Sequence, residues 1–155
     1  MVDMNPDWGV CSGFFLRGNY RGECFQMMVD YHDKGNVGHL YGEGTGAFNT
    51  RTFDINGKYD NEKNLIGITT AEHKTAEALG LVHTCDPQDW VDAWKLHDWN
   101  TALVRVEGKY PRITTWINDL MVNDFDGSNS TNTRYQEKKE HVLKLLGTSG
   151  SIAVQ

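Results

Sequence analysis

The chain has 155 residues, a net charge of -6, 39% hydrophobic residues and five tryptophans. This length and hydrophobic fraction predict one folded domain with a core of useful size, and they exclude a disordered chain. The acidic balance without a Lys/Arg cluster argues against a nucleic-acid partner, and no apolar run approaches the roughly 20 residues of a membrane span.

Three short runs of β type come first in the chain, separated by turns rich in Gly, Asn and Asp. They cover residues 14–17, 24–31 and 37–41. Polar and apolar residues alternate along them, and this period places alternate side chains on opposite faces of a sheet. We therefore expect a set of polar side chains to share one concave sheet surface, where a sugar-sized ligand would lie. The set is Arg17, Gln26, Asp30, His32, His39 and Tyr41.

The middle of the chain predicts irregular structure and short helices. Residues 44–68 are rich in Gly and Asn, which is typical of a long ordered loop with short strand pieces, and loops of this length are uncommon unless functional. Residues 70–79 have a helix-forming composition, with Gly80 as the C-terminal stop. Residues 86–94 begin with Asp-Pro, which predicts an N-cap, a proline at the first helical position and a short helix.

A clearer β pattern fills the second half. Strands are predicted at 101–107, 113–118 and 120–124. Asn118 and Asp119 can take the positive φ that a tight hairpin needs. Residues 135–146 have helical spacing with Gly147 as the stop, and residues 151–155 begin another strand. Many short strands, small helices in the connections and no βαβ alternation together predict an antiparallel β-sandwich.

The three cysteines give no closed disulfide framework and no CxxC pair of the zinc-binding kind. They are Cys11, Cys24 and Cys85. We interpret them as free or buried thiols that fill space in strands, with one Cys11–Cys24 bridge as an open alternative. A divalent metal on His32, Asp33 and His39 is a second open alternative, because two histidines and an acid are a sensible ligand set. The spacing matches no known signature, so the sequence assigns no metal site and no cofactor.

Five phrases carry a family resemblance: SGFFLRG, GHLYGEG, WNTALVRVEG, ITTWINDLMVNDFDG and GSIAVQ. In this order they resemble phrases of the 3-keto-disaccharide hydrolase family of bacteria, and they span most of the chain from Ser12 to Gln155. The resemblance implies a concanavalin A-like jelly roll, a carbohydrate ligand on the concave sheet and cleavage of glycosides oxidised to a ketone at C3. It also implies an extracellular or periplasmic location, although residues 1–10 do not read as a signal peptide.

The chain departs from the family pattern at three positions. Gln26 stands where the family usually has Glu, Met28 where it usually has Gln, and Cys11 where an Asn precedes Ser-Gly. The lost carboxylate favours the alternative of a non-catalytic, lectin-like module. We expect residues 1–155 to form a single β-sandwich domain. Because family members carry further strands on both sides, truncation at both ends is an open alternative. A fragment that keeps the fold without the function is another. Uncovered sheet edges would favour self-association.

The chemistry that the resemblance implies needs few groups. An ordinary glycosidase needs two carboxyl groups that flank the bond, and the Glu-x-Asp-x-x-Glu triplet of jelly-roll glucanases does not occur in this sequence. In a 3-keto glycoside the ketone acidifies the proton on C2, a base removes it, and the group on C1 leaves by elimination. This route needs one base with a pKa near neutral and a positive or hydrogen-bond-donating group at the enolate oxygen.

Residues for these roles lie mainly in the first three predicted strands. The candidate bases are Asp30, His32 and His39. Arg17 is the candidate for stabilising the enolate, because its charge is permanent. The candidate substrate contacts are Gln26, Tyr41, Glu23, Glu43, Trp116 and Asn118. Each has a structural alternative, such as an Arg17–Asp30 ion pair, a buried histidine or core packing of the aromatic rings.

Overall fold

The computed structural model describes residues 4–7, 9, 11–46 and 48–155. The strands are β1 (Gly13–Gly18), β2 (Cys24–Asp30), β3 (Asn36–Glu43), β4 (Asp54–Tyr59), β5 (Leu65–Ala71), β6 (His83–Thr84), β7 (Ala102–Glu107), β8 (Arg112–Ile117), β9 (Leu120–Asp126) and β10 (Ser151–Val154). The helices are α1 (Pro87–Ala93), α2 (Thr133–Leu146) and a 3-10 turn, Glu77–Leu79.

Two four-stranded antiparallel sheets form the sandwich. The first sheet has the order β10-β1-β2-β3, and the second has the order β6-β9-β8-β7. β4 and β5 form a separate hairpin, which the bridge between Gly35 and Ile55 attaches to the start of β3. The predicted all-β sandwich is confirmed, while the jelly-roll connectivity implied by the resemblance stays a prediction.

The hydrophobic core lies between the two sheets, and at Gly38 of β3 the second sheet contacts the backbone of the first. Gly38 has φ 101, and a Cβ there would lie 2.9 Å from the side chain of Val122 on β9. The hydroxyl of Thr115 donates a hydrogen bond of 2.6 Å to the Gly38 carbonyl. Elsewhere in the core, the rings of Phe48 and Phe125 stack with centroids 4.7 Å apart. The glycine therefore lets the second sheet pack directly against the backbone of the first.

The helices and strands of the second half agree with the sequence prediction. Asp86 caps α1 by accepting a hydrogen bond of 2.7 Å from the backbone N–H of Gln88. α2 ends before Gly147, which has φ 62. Asn118 and Asp119 join β8 to β9 with φ values of 47 and 68, the left-handed pair that a tight hairpin turn needs.

The middle of the chain differs from the prediction at two places. Residues 44–68 contain strand pieces, as predicted, but these are β4 and the start of β5, which form a hairpin and not parts of a long loop. In the tight turn between them the carboxylate of Asp60 accepts a 2.8 Å hydrogen bond from the Asn64 N–H. The helix predicted at 70–79 is reduced to the 3-10 turn, although Gly80 is its stop with φ 65. The apolar residues of the β4–β5 hairpin pack on the core, and this tertiary contact outweighs the local composition.

No helix in the described part of the chain is long and apolar enough to cross a lipid bilayer. β10 lies at the edge of the first sheet, where Ile152 and Val154 are 78% and 72% exposed. Self-association through such an edge stays a prediction.

Candidate functional site

Three chemically active side chains meet where β2 ends. β1 and β2 are antiparallel with Gly13 opposite Met28, so extending this register by two residues places Cys11 beside Asp30. His32 follows in the turn after β2. The donor atoms of Cys11, Asp30 and His32 all lie within 4.8 Å of one another. We call these three residues the β2-end cluster.

The carboxylate of Asp30 is partly buried and accepts a hydrogen bond of 3.3 Å from the backbone N–H of Ser12. Partial burial raises the pKa of Asp30 above its usual range, while the Ser12 hydrogen bond and the charges of His32 and Arg51 act in the opposite direction. A carboxylate with a raised pKa is a stronger base than an ordinary exposed aspartate.

The imidazole of His32 has a fixed orientation. Its Nδ1 lies 2.8 Å from the carbonyl oxygen of Asp33. Because a carbonyl only accepts hydrogen bonds, Nδ1 carries the proton, and in the neutral ring Nε2 presents its lone pair. Nε2 lies 3.6 Å from the Sγ of Cys11. A cavity of about 230 Å³, lined by Asn5, Pro6, Asp7, Gly9, His32 and Asp33, opens beside the ring.

Gln26 and Tyr41 lie opposite each other on β2 and β3, so their side chains share one face of the first sheet. Gln26 is 6% exposed, and its Nε2 donates hydrogen bonds of 3.3 Å to the Ser12 carbonyl and 3.1 Å to Oε1 of Gln155. Tyr41 is 38% exposed. The amide of Gln26 is therefore engaged in holding neighbouring strands, while Tyr41 is accessible to a ligand.

The sequence predicts that Arg17 and Asp30 share one surface, but the structure does not bring the two side chains together. Its guanidinium donates hydrogen bonds of 2.7 Å to the Gly108 carbonyl and 3.3 Å to the Gly147 carbonyl. A strand rises about 3.3 Å per residue, which separates Arg17 from Ser12, beside Asp30, by roughly 16 Å. The two residues lie toward opposite ends of the first sheet, so Arg17 neither pairs with Asp30 nor reaches a substrate held there.

His39 is also displaced from the expected surface, because it is fully buried. Its Nε2 lies 2.9 Å from the hydroxyl of Thr52, and burial lowers the pKa of His39 to about 3. The metal set of His32, Asp33 and His39 is not assembled either. The carboxylate of Asp33 instead accepts a hydrogen bond of 2.7 Å from the Gly57 N–H.

The two glutamates lie at the opposite end of β2 from Asp30. Glu43 ends β3 and pairs with Cys24, the first residue of β2. Glu23 precedes β2 and accepts a hydrogen bond of 2.7 Å from the side chain of Asn19 within the turn. Neither glutamate is near the β2-end cluster, so the expectation that they contact the same sugar does not follow from this geometry.

Trp116 and Asn118 belong to the second sheet and its hairpin. Arg105 lies over the ring of Trp116, with its guanidinium carbon 5.8 Å from the ring centroid. Asn118 donates hydrogen bonds of 2.8 Å to the Ala93 carbonyl and 2.6 Å to Oδ1 of Asn100. Asn118 is therefore part of a structural corner, and the structure does not bring either residue to the β2-end cluster.

Sequence reasoning missed Cys11 as a member of the site. All three cysteines are free, so the Cys11–Cys24 bridge is not formed, and Cys11 is exposed while Cys24 and Cys85 are buried. The signal that could have found Cys11 is the strand register. Cys11, two positions before β1, lies beside Asp30, the last residue of β2.

Larger cavities lie elsewhere on the described surface. One, of about 580 Å³, is polar and lies along β4 and β5, with Lys34, Arg51, Asp54, Glu72 and Lys74 in its lining. Another, of about 340 Å³, includes Trp116 in its lining. A third, of about 380 Å³, is lined by Tyr31, Trp94, Lys95, His97, Asp98, Trp99 and Asn100, and we call it the tryptophan cavity. Trp99 is 84% exposed at its rim, and Tyr31 directly precedes His32. Exposed aromatic rings are a common surface for sugar rings.

A family model described as a 3-keto-alpha-glucoside-1,2-lyase-like domain matches residues 3–155. No match is found among curated proteins or among solved structures.

Proposed function

Because the chain belongs to the 3-keto-alpha-glucoside-1,2-lyase-like family, whose chemistry is carbohydrate-related, we propose that it cleaves 3-keto glycosides by elimination. Asp30 takes the proton from C2. The electrons of the broken C–H bond form an enolate with the C3 ketone. Return of these electrons forms the C1–C2 double bond and breaks the bond from C1 to oxygen. The leaving oxygen takes a proton from water to depart as an alcohol, and Asp30 returns the C2 proton to water.

The observation that supports this proposal is the setting of the Asp30 carboxylate at the end of β2. It is half-buried, its pKa is raised, and the Ser12 N–H fixes one of its oxygens. Burial penalises the charged carboxylate, so uptake of a proton from carbon is more favourable here than at an exposed aspartate. The ketone next to C2 supplies the remaining acidity.

His32 is the proposed donor in the same reaction. Its Nε2 faces the β2-end cluster, and the imidazolium form donates a hydrogen bond that stabilises the negative charge developing on the enolate oxygen. Arg17, which the sequence suggested for this role, is held by two carbonyl groups toward the opposite end of the sheet.

A carbohydrate-binding module without catalysis is the second candidate. The tryptophan cavity supports it, because Trp99 exposes 84% of its surface beside polar groups of Lys95, Asp98 and Asn100. An aromatic ring packs against the C–H face of a pyranose while polar neighbours bind its hydroxyl groups. The same cavity serves the enzyme as a substrate-binding surface, so activity decides between the two candidates.

The direct test compares variants on a 3-keto-glucoside with a chromogenic leaving group, in buffer that contains EDTA. We expect Asp30→Asn to lower kcat at least about 100-fold, as removal of a general base does. Arg17→Lys is the matched control, which changes a charged residue of the same sheet away from the cluster and should keep kcat within about twofold of wild type. Equal rates for Asp30→Asn and wild type would exclude Asp30 as the base.

A further inference from the structure

We propose that Cys11, Asp30 and His32 bind a divalent metal of the Zn²⁺ or Co²⁺ class, with one coordination position open to water or another ligand. The donor atoms of the three side chains lie within 4.8 Å of one another. This inference goes beyond the elimination proposed above and does not rest on it, because metal binding is measured without a substrate.

The separation of two of the ligand atoms already fits a metal. A tetrahedral Zn²⁺ at about 2.3 Å from sulfur and about 2.0 Å from nitrogen holds these two atoms about 3.5 Å apart. Sγ of Cys11 and Nε2 of His32 are 3.6 Å apart. The Asp30 carboxylate completes the set by a shift of about 1 Å, which side-chain rotation supplies.

Hydrogen bonds to His32 and Asp30 orient these two ligands, as hydrogen bonds to the ligands do in known metal sites. Nδ1 of His32 is engaged with the Asp33 carbonyl at 2.8 Å, which leaves the Nε2 lone pair pointing toward Cys11. The Ser12 N–H holds one oxygen of Asp30, which leaves the other oxygen available for a metal. Such second partners are the rule for metal-bound histidine and carboxylate groups.

The chemistry of the three ligands selects the class of metal. A thiolate and a carboxylate together neutralise a divalent cation, and sulfur with imidazole nitrogen favours Zn²⁺ or Co²⁺ over Mg²⁺ or Ca²⁺. In the metal-free protein, loss of hydration and the Asp30 carboxylate raise the pKa of the Cys11 thiol. A bound cation reverses that effect, since it stabilises the thiolate directly.

The metal and the proposed reaction compete for one group. A metal on Asp30 occupies the carboxylate that takes the C2 proton, so Zn²⁺ is expected to suppress the elimination. Activity in EDTA therefore tests the reaction, and metal titration without sugar tests the site. A negative result in one of these tests does not affect the result of the other.

The test is titration of the metal-free full chain with Co²⁺, followed by absorption. We expect a sulfur-to-cobalt charge-transfer band that Zn²⁺ abolishes at one equivalent. Cys11→Ser should lose the band and weaken Co²⁺ binding at least about tenfold, and His32→Ala should weaken it similarly. His73→Ala is the matched control, because His73 is an exposed histidine that lies outside the cluster, and it should bind like wild type. Absence of the band in the wild type, or equal affinity of Cys11→Ser, would overturn the proposal.

A second measurement needs no variant. Cys11 is the exposed cysteine while Cys24 and Cys85 are buried, so iodoacetamide should alkylate Cys11 first in the folded protein. We expect saturating Zn²⁺ to slow alkylation of the Cys11 peptide at least about tenfold, since a metal-bound sulfur has no free lone pair of comparable reactivity. An unchanged rate at saturating Zn²⁺ would contradict the site.

Discussion

Asp30 and Gln26 are joined through the backbone of a single residue. The N–H of Ser12 donates to the Asp30 carboxylate at 3.3 Å, and the carbonyl of Ser12 accepts from Nε2 of Gln26 at 3.3 Å. Gln26 also donates to Gln155, which follows β10. The position of the proposed base therefore depends on the pairing of three strands, and not on β2 alone.

Replacement of Gln26 tests this linkage. We expect Gln26→Leu to lower the free energy of unfolding by about 0.5–1.5 kcal/mol, because the variant loses the hydrogen bonds to Gln155 and to the Ser12 carbonyl, which keeps its bond from the Val29 N–H. Because Asp30 is held by the same residue, kcat on a 3-keto-glucoside should fall with little change in KM. Urea unfolding and steady-state kinetics measure the two effects. Tyr41→Phe, a change on the same face outside this hydrogen-bond chain, is the control and should unfold like wild type.

The pH dependence of stability tests the burial of His39. Its folded pKa of about 3 lies below its ordinary value of 6.5, with burial as the main cause and Arg51 as a second one. Between these values the unfolded state binds more protons, so stability should decrease as the pH falls, by about 1.4 kcal/mol per pH unit from this group. The contribution is complete above about pH 6.5 and is lost toward pH 3.

Urea unfolding at pH 7.0 and at pH 5.0, between which this group is expected to change the free energy of unfolding by about 2 kcal/mol, measures this dependence. His39→Gln retains a partner for Thr52 and should remove that part of the slope. His73→Gln, at an exposed histidine, should keep the wild-type slope. An identical slope in His39→Gln would mean that another group causes the dependence.

The contact between the two sheets at Gly38 is tested by a small substitution. Gly38→Ala should destabilise the protein by about 2–4 kcal/mol, because φ is 101 and the new Cβ would lie 2.9 Å from Val122. Gly67→Ala is the matched control, since its Cβ would make an ordinary contact of 3.5 Å with Lys58. The denaturation midpoint gives both values. A Gly38→Ala variant as stable as Gly67→Ala would contradict the packing described here.

Sugar binding at the tryptophan cavity is tested at Trp99. Trp99→Ala should weaken binding of a glucoside about tenfold, equal to about 1.4 kcal/mol, and should leave stability unchanged within about 0.5 kcal/mol because the ring is 84% exposed. Tyr20→Ala removes another ring that is 89% exposed and serves as the control. Calorimetric titration with the glucoside measures both affinities. If both variants bind it like wild type, the tryptophan cavity is not the sugar-binding site.

The sequence predicted the sandwich better than the site. The strands of the second half and the caps at Asp86 and Gly147 follow from local patterns, which the structure retains. The hairpin of β4 and β5 was not predicted, because its order comes from packing on core residues that lie far away in the sequence.

The arrangement of the site residues depends on register and depth, which alternation does not give. Alternation placed Arg17 and His39 on the same surface as Asp30, yet one is bonded to carbonyls near the far end of the sheet and the other is fully buried. Cys11 was treated as a space-filling thiol because its pairing with Asp30 depends on the register between β1 and β2. A sequence pattern shows which residues alternate, and only the fold shows which of them meet.

The central claim is that the chain eliminates the leaving group from a 3-keto sugar, and one comparison tests it most directly. Wild-type protein in EDTA is incubated with a 3-keto-glucoside and, separately, with the unoxidised glucoside that carries the same leaving group. The account predicts release from the keto sugar alone, because only its C2 proton is acidic enough for a carboxylate base. Release from both sugars at similar rates, or from neither, would contradict it.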